Sequence, residues 1–172
     1  LVVVDLRATM HFATQGCFKS VNASLAAALL AWAAHHCGDR LGGLIFGDST
    51  HRELKPRLGR RAALRFLHEL AEHPDWERRE HAQVADREAP LTLAMASLRR
   101  VARPGSLVVI LSDFLGINRA AQSYLSSVAR HSEVTLTSTL IDEVQASTVL
   151  LGDGTEVTKL RLDISKHTEL KW

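Results

Sequence analysis

Short unbroken apolar runs alternate along the chain with longer stretches in which apolar residues recur every three or four positions. Leu1-Val2-Val3-Val4 has no polar interruption and is rich in β-branched residues, which predicts a strand buried on both faces, as inside a parallel sheet. It stops at Asp5. Leu107-Val108-Val109-Ile110-Leu111 repeats the pattern and stops at Ser112-Asp113. Between them, Ser20-Val21-Asn22 opens a helix to about Cys37, with Gly38 as its stop. Ala, Leu and Trp32 cover most of its circumference, which predicts a well-buried helix packed through its alanines. Leu41 to Phe46 is the next strand. A turn at Asp48-Ser49 leads to a short edge strand, His51 to Leu54.

Pro56 to Gly59 lead into a second helix, Arg60 to His73, with Ala63, Leu64, Leu67 and Leu70 at helical spacing, ended by Pro74. Asp75 to Glu88 is charged and aperiodic, and reads as a mobile loop. Pro90 opens a third helix striped by Leu91, Ala94, Met95, Leu98 and Val101. A fourth, Asn118 to His131, buries Ala121, Tyr124, Leu125 and Val128. Glu133 to Ile141 is a strand carrying Val134, Leu136 and Leu140. Thr148 to Leu151, the turn Gly152-Asp153-Gly154, and Glu156 to Asp163 form a C-terminal hairpin. Alternating strands and helices imply an α/β fold of parallel strands joined by right-handed crossovers. Ligands of such sheets sit beyond the carboxyl ends of the strands, where Asp5 and Asp113 would share one rim.

Composition narrows the classes. The chain has 172 residues, 46% hydrophobic and 23% charged, enough for one globular domain with a substantial core. A formal charge of +2 gives no argument for nucleic acid, and the arginines of 57–65 and 99–103 read as solvated helix faces. Cys17 and Cys37 have no metal-ligand spacing; two free, partly buried thiols or a single disulfide both satisfy the sequence. No run reaches transmembrane length, so no membrane contact is expected of this segment. The opening on a core strand without Met suggests a segment excised from a longer protein, membrane-anchored or not, with this domain expected in the cytoplasm.

Other motifs are weak. His35-His36-Cys37 lies where histidines interact favourably with a helix C-terminus. His68 and His73 are one residue too far apart to grip one zinc from a helix. No glycine-rich phosphate loop follows a strand, and Gly42-Gly43 inside a strand suggests close helix packing instead. Trp76, in the charged loop, is the aromatic expected to contact a partner.

The order strand, Asp-x-x-x-Thr (Asp5 to Thr9), Ala-rich helix, Gly-Asp-Arg-Leu-Gly-Gly-Leu-Ile-Phe-Gly-Asp (Gly38 to Asp48), and Leu-Ser-Asp-Phe (Leu111 to Phe114) resembles a von Willebrand factor A-type domain. More narrowly, it is similar to the bacterial proteins of domain-of-unknown-function family 58. The resemblance implies a Rossmann-like, mostly parallel sheet with one antiparallel edge strand and helices on both faces. The core would be 1–142, with hairpin and tail at 143–172. It also implies a metal-ion-dependent adhesion site: Asp5 matches the first Asp, Thr9 the last hydroxyl, Asp113 the third-loop Asp, and Thr92 stands near the second-loop Thr. Mg²⁺ wants such a shell of hard oxygens. Arg7, however, replaces a hydroxyl ligand.

A guanidinium there repels a cation and pairs with carboxylates. Either Arg7 stands in for the metal, bridging Asp5 and Asp113, or it turns outward beside a weakened Mg²⁺ site, or it is solvated without a role. The resemblance implies a non-catalytic interaction domain with a degenerate metal site, binding a protein through a rim of Asp5, Arg7, Thr9, Asp113 and Trp76. A MoxR-type AAA+ ATPase is the partner it suggests. The alternative is a Mg²⁺-dependent hydrolase or phosphate-binding enzyme using Asp5 and Asp113. Ser112 with His11 is the only other catalytic pairing to consider.

Overall fold

The computed structural model describes residues 1–13, 17–77, 88–138, 145–150 and 156–161. Its strands are β1 (Val2–Asp5), β2 (Arg40–Phe46), β3 (His51–Leu58), β4 (Leu107–Leu111), β5 (Glu133–Ser138), β6 (Gln145–Leu150) and β7 (Glu156–Arg161). Its helices are α1 (Lys19–His36), α2 (Arg60–Ala71), α3 (Ala89–Val101) and α4 (Arg119–Ala129), with 3-10 turns at Ala8–Met10 and Pro74–Trp76. One seven-stranded sheet runs β3-β2-β1-β4-β5-β7-β6. β2, β1, β4, β5 and β7 are parallel, whereas β3 and β6 run antiparallel at the two edges. The C-terminal hairpin thus adds a second antiparallel edge to the Rossmann-like sheet. Its turn, together with Leu140, Ile141, Gly16 and the tail from 162, lies outside the described residues.

The unbroken apolar runs have the two-sided burial they predict. Val2 and Val4 enter the core under α1 and α2, while Val3 enters the core under α3 and α4. Along β4, Val109 and Leu111 take the first side and Val108 and Ile110 the second. Gly43 faces α2: a Cβ there would stand 2.5 Å from the Phe66 ring, so the helix approaches as the glycine pair predicts.

Four expectations need correction. α1 buries only its small residues, Ser20, Ala23, Ala26, Ala27 and Ala31, and leaves Leu25 exposed and Leu29 67% exposed. A helix lying on a sheet offers it one stripe, and the alanines win because they allow the closest approach. β3 continues past Leu54 to Leu58, through Pro56. The ladder shifts register between Leu41 and Gly43, opposite that proline, and an edge strand tolerates a residue without an N–H. The start of the charged segment is ordered: Asp75 is buried in the Pro74–Trp76 turn, while 78–87 lie outside the described residues. Both cysteines are free, and both are exposed rather than partly buried.

Candidate functional site at the strand ends

β1 and β4 are adjacent and parallel, with Val4 opposite Leu111, so Asp5 and Ser112 leave the sheet side by side. The chain after β1 crosses to β2 on one side, and the chain after β4 crosses to β5 on the other. This is the switch point at which an open α/β sheet leaves a crevice. Ser112 Oγ donates to Asp5 Oδ2 at 2.6 Å and accepts the Phe114 N–H at 3.0 Å. Phe114 then adopts φ 56°, a left-handed conformation that costs a bulky residue strain and folds the chain back over the strand end. That reversal brings the Leu115 N–H to Asp113 Oδ1 at 3.1 Å. Thr9 Oγ1 donates to the same oxygen at 3.4 Å.

Arg7 turns inward. Its Nη2 donates to Asp5 Oδ2 at 2.7 Å, and Nε reaches Oδ1 and Oδ2 at 3.0 and 3.1 Å. Its backbone N–H adds a further bond to Oδ1 at 3.0 Å. Nη1 donates to the Leu115 carbonyl at 2.9 Å, and Nη2 reaches Asp113 Oδ1 at 3.5 Å. The guanidinium carbon lies 5.8 Å from the centre of the Phe46 ring. Arg7 is 1% exposed and Asp5 0%. Burial alone lowers the Arg7 pKa, but hydrogen bonding and charge from Asp5, then Asp113 and Asp48, hold it above its ordinary value. Burial pushes the Asp5 carboxyl up, against the pull of Arg7 and the Ser112 hydroxyl. The fork makes this a bidentate buried ion pair whose members depend on each other.

The residues do not fit the Mg²⁺ shell that the Asp-x-x-x-Thr pattern implies. Both Asp5 oxygens point into the guanidinium or the Ser112 hydroxyl, and the cation-facing side of Asp113 holds Arg7 and, at 3.5 Å, Lys19 Nζ. A divalent ion would have to displace a positive charge from a desolvated carboxylate. Among the described residues there is no group of three or more His, Cys, Asp or Glu able to hold a metal.

Asp5, Arg7, Thr9 and Asp113 therefore meet, while two other candidates stand apart. Thr92 donates its hydroxyl to the Glu88 carbonyl at 2.9 Å, within its own helix start, and has no hydrogen bond to either carboxylate. Trp76 is half-buried against the α1/α2 core rather than free in a loop: its Nε1 donates to the Leu70 carbonyl at 2.7 Å, and its ring stacks on His11 with centroids 5.9 Å apart. That stacking also takes His11 out of any pairing with Ser112, whose hydroxyl is buried and bonded on both sides.

The sequence reading missed Lys19 and Asp48. Asp48 Oδ2 accepts the Ala8 N–H at 2.8 Å and so pins the loop carrying Arg7. Its signal was its place just after a parallel strand. Lys19 lies 5.8 Å from the centre of the Phe12 ring, and exposed Phe12, Phe18 and Leu115 frame the rim around it. Among the described residues Phe12, Phe18 and Leu115 expose apolar surface at the rim, Lys19 is mostly buried against Asp113, and the charged pair lies beneath them.

A family profile described as "Protein of unknown function DUF58" matches residues 1–168. Uncharacterized proteins of Mycobacterium tuberculosis and Mycobacterium bovis are 32% identical over 130 residues, covering 76% of this chain and 39% of theirs. The chain thus matches well under half the length of these relatives. Two solved structures share the fold. One is an aerotolerance-related membrane protein from Bacteroides fragilis (TM-score 0.66, 11% identity, covering 96% of this chain and 92% of that one). The other is a conserved hypothetical protein, BatB, from Bacteroides thetaiotaomicron (TM-score 0.64, 12% identity, covering 96% and 91%).

Proposed function

The chain belongs to the DUF58 family, and from that membership and the architecture of the rim we propose that it is a non-catalytic protein-interaction domain of von Willebrand factor A type. The observation that carries this reading is Arg7, held on Asp5 by a two-point fork in the place of the adhesion-site cation. A metal-dependent adhesion site recruits a partner's carboxylate through its open coordination position. Here the buried guanidinium neutralises the carboxylates from within and sets the loops in a fixed shape. Recognition then falls to what those loops present: Phe12, Phe18 and Leu115, with Lys19 among them. Apolar anchors around one charge are the composition of an interface hot spot.

The partner we infer is a MoxR-type AAA+ ATPase, which places the domain on the cytoplasmic side where ATP is available and gives it an assembly or chaperone-like role. Titrating the MoxR-type ATPase of the same organism onto the purified domain tests it by calorimetry. Binding is expected in EDTA as well as in Mg²⁺-containing buffer, and Phe18→Asp with Leu115→Asp is expected to lower it at least tenfold, one such contact being worth upwards of about 1.4 kcal/mol. Binding that needs Mg²⁺, or that survives both substitutions, defeats the rim as the docking surface. Phosphate release from model phosphoesters that is lost in Asp113→Asn defeats the non-catalytic reading.

A further inference from the structure

We propose that the face formed by β3 and the start of α2 docks on an anionic lipid bilayer. The cations lie on the C-terminal half of β3 and the start of α2, toward the opposite end of the strands from Asp5 and Asp113, so the proposal stands apart from the reading of the rim. Arg40, Lys55, Arg57, Arg60, Arg61 and Arg65 are all exposed there. Lys55, Arg57 and Arg65 line one shallow depression beside Phe66, and Arg40, paired with Leu58 one residue along the ladder from Leu41 and Arg57, extends the charge around the sheet edge. A basic helix face that is merely solvated usually carries acids one turn away. Here the two acids within β3 and α2, Glu53 and Glu69, are held by Arg100 and Arg52. Among the described residues none of the six cations has an ion pair or a side-chain hydrogen bond.

Their placement adds to the mutual repulsion. Arg60 and Arg61 occupy the first turn of α2, at its positive end, with no acid in that turn and only Gly59 before it. The acids within β3 and α2 are already engaged, and Asp39, exposed next to Arg40, is the acid that adjoins the patch in sequence. The shape of the surface selects the kind of anion. The depression holds a volume of only about 10 Å³, room for a water and not for a bound metabolite, so the counterpart covers this face instead of entering it. Lys55 and Pro56 on the edge strand oppose the addition of a peptide strand. Among the described residues no Phe, Tyr or Trp side chain projects from the patch to stack bases, as single-stranded nucleic acid would need; Phe66, the one such residue of β3 and α2, is buried. Leu58, 57% exposed, and Leu64 project among the arginines instead. Basic side chains beside exposed leucines match the headgroup layer of an anionic membrane, with the leucines reaching the acyl boundary.

Co-sedimentation of the whole chain with vesicles tests this. Vesicles of phosphatidylcholine containing phosphatidylglycerol are expected to bind the protein and pure phosphatidylcholine vesicles are not, with binding weakening as salt is raised. Each cation reaching the surface is worth roughly fivefold in partitioning, so Arg57→Gln/Arg61→Gln/Arg65→Gln is expected to lower it on the order of a hundredfold. Arg99→Gln/Arg103→Gln/Arg119→Gln removes the same net charge elsewhere and should leave it unchanged. The corresponding triple Arg→Lys variant keeps charge and must retain binding, which separates loss of docking from loss of fold. Equal binding to both kinds of vesicle, equal effects of the two Gln triples, or capture of a single-stranded RNA oligomer with no capture of vesicles would each overturn the proposal.

Discussion

Arg7 and Asp5, two residues apart, form a buried fork in which Nη2 lies 2.7 Å from Oδ2 and Nε 3.0 Å from Oδ1. Two residues apart along an extended chain, they project from the same side. The pairing therefore needs the chain to leave β1 and turn at Ala8–Met10, and it needs β4 alongside to supply Ser112 Oγ and the Leu115 carbonyl. Removing one member strands the other. Arg7→Met is expected to destabilise the fold by about 3–5 kcal/mol, read from urea denaturation at neutral pH. Burial already raises the Asp5 pKa, and losing the cation raises it further. A raised folded-state pKa gives stability that is complete at acid pH and lost as pH rises through it. The deficit should accordingly shrink as pH is lowered, and Asp5→Asn added to Arg7→Met should recover part of it at neutral pH.

Arg7→Ser restores the hydroxyl that the adhesion-site pattern expects beside Asp5, Thr9 and Asp113. The wild-type melting temperature is expected to be indifferent to millimolar Mg²⁺, whereas the variant, itself less stable, should gain stability with Mg²⁺ concentration as a binding linkage requires. Scanning fluorimetry over a Mg²⁺ series checks both. A rise for the wild type would show that a cation can displace the guanidinium.

His73 supplies the pH dependence on the other side of the ordinary range. Its side chain is fully buried, with Nδ1 accepting the Asp75 N–H at 3.4 Å and Nε2 without a hydrogen-bond partner among the described residues. Burial lowers its pKa below the ordinary 6.5, against the opposing charge of Asp75; Arg52 lowers it further and Glu69 raises it. The unfolded chain therefore takes up the proton first. Stability is complete above pH 6.5 and falls as pH drops below it, by at most about 1.4 kcal/mol per pH unit. Urea midpoints across that range should show the slope, and His73→Gln should flatten it.

Gly43 and Gly47 are expected to resist substitution for different reasons. A Cβ at Gly43 meets the buried Phe66 ring, which has nowhere to go, so Gly43→Ala should cost about 1–3 kcal/mol and be partly relieved by Phe66→Leu. A Cβ at Gly47 would overlap the Asp75 carboxylate, which also accepts the Thr50 hydroxyl at 3.1 Å. Gly47→Ala should therefore loosen the β2–β3 turn and, through Asp48, the loop that carries Arg7. Hydrogen exchange at Ala8 and Gly47, whose N–H groups donate to Asp48 Oδ2 and the Thr50 carbonyl, reads that loosening directly.

The sequence by itself determined the elements and the meeting of two acids. Unbroken Val and Ile runs have no polar face to give to solvent, so β1 and β4 had to lie inside the sheet, and parallel strands end at the same rim. Pro90 and Gly38 marked helix boundaries for local reasons: Gly38 has φ 74°, a conformation that stops a helix without Cβ strain. What only the tertiary structure decided is which side chains the rim turns inward. An arginine beside a strand end is ordinarily solvated. Arg7 is buried because the chain after β4 brings Asp113 and the Leu115 carbonyl against it, and Ser112 against its partner Asp5, from more than a hundred residues away. Leu25 and Leu29 were left outside, and Thr92 and Trp76 were given other partners, by the same cause. Periodicity states that a face is apolar or a residue is charged, but contact with a distant strand decides whether that face is covered and that charge is paired.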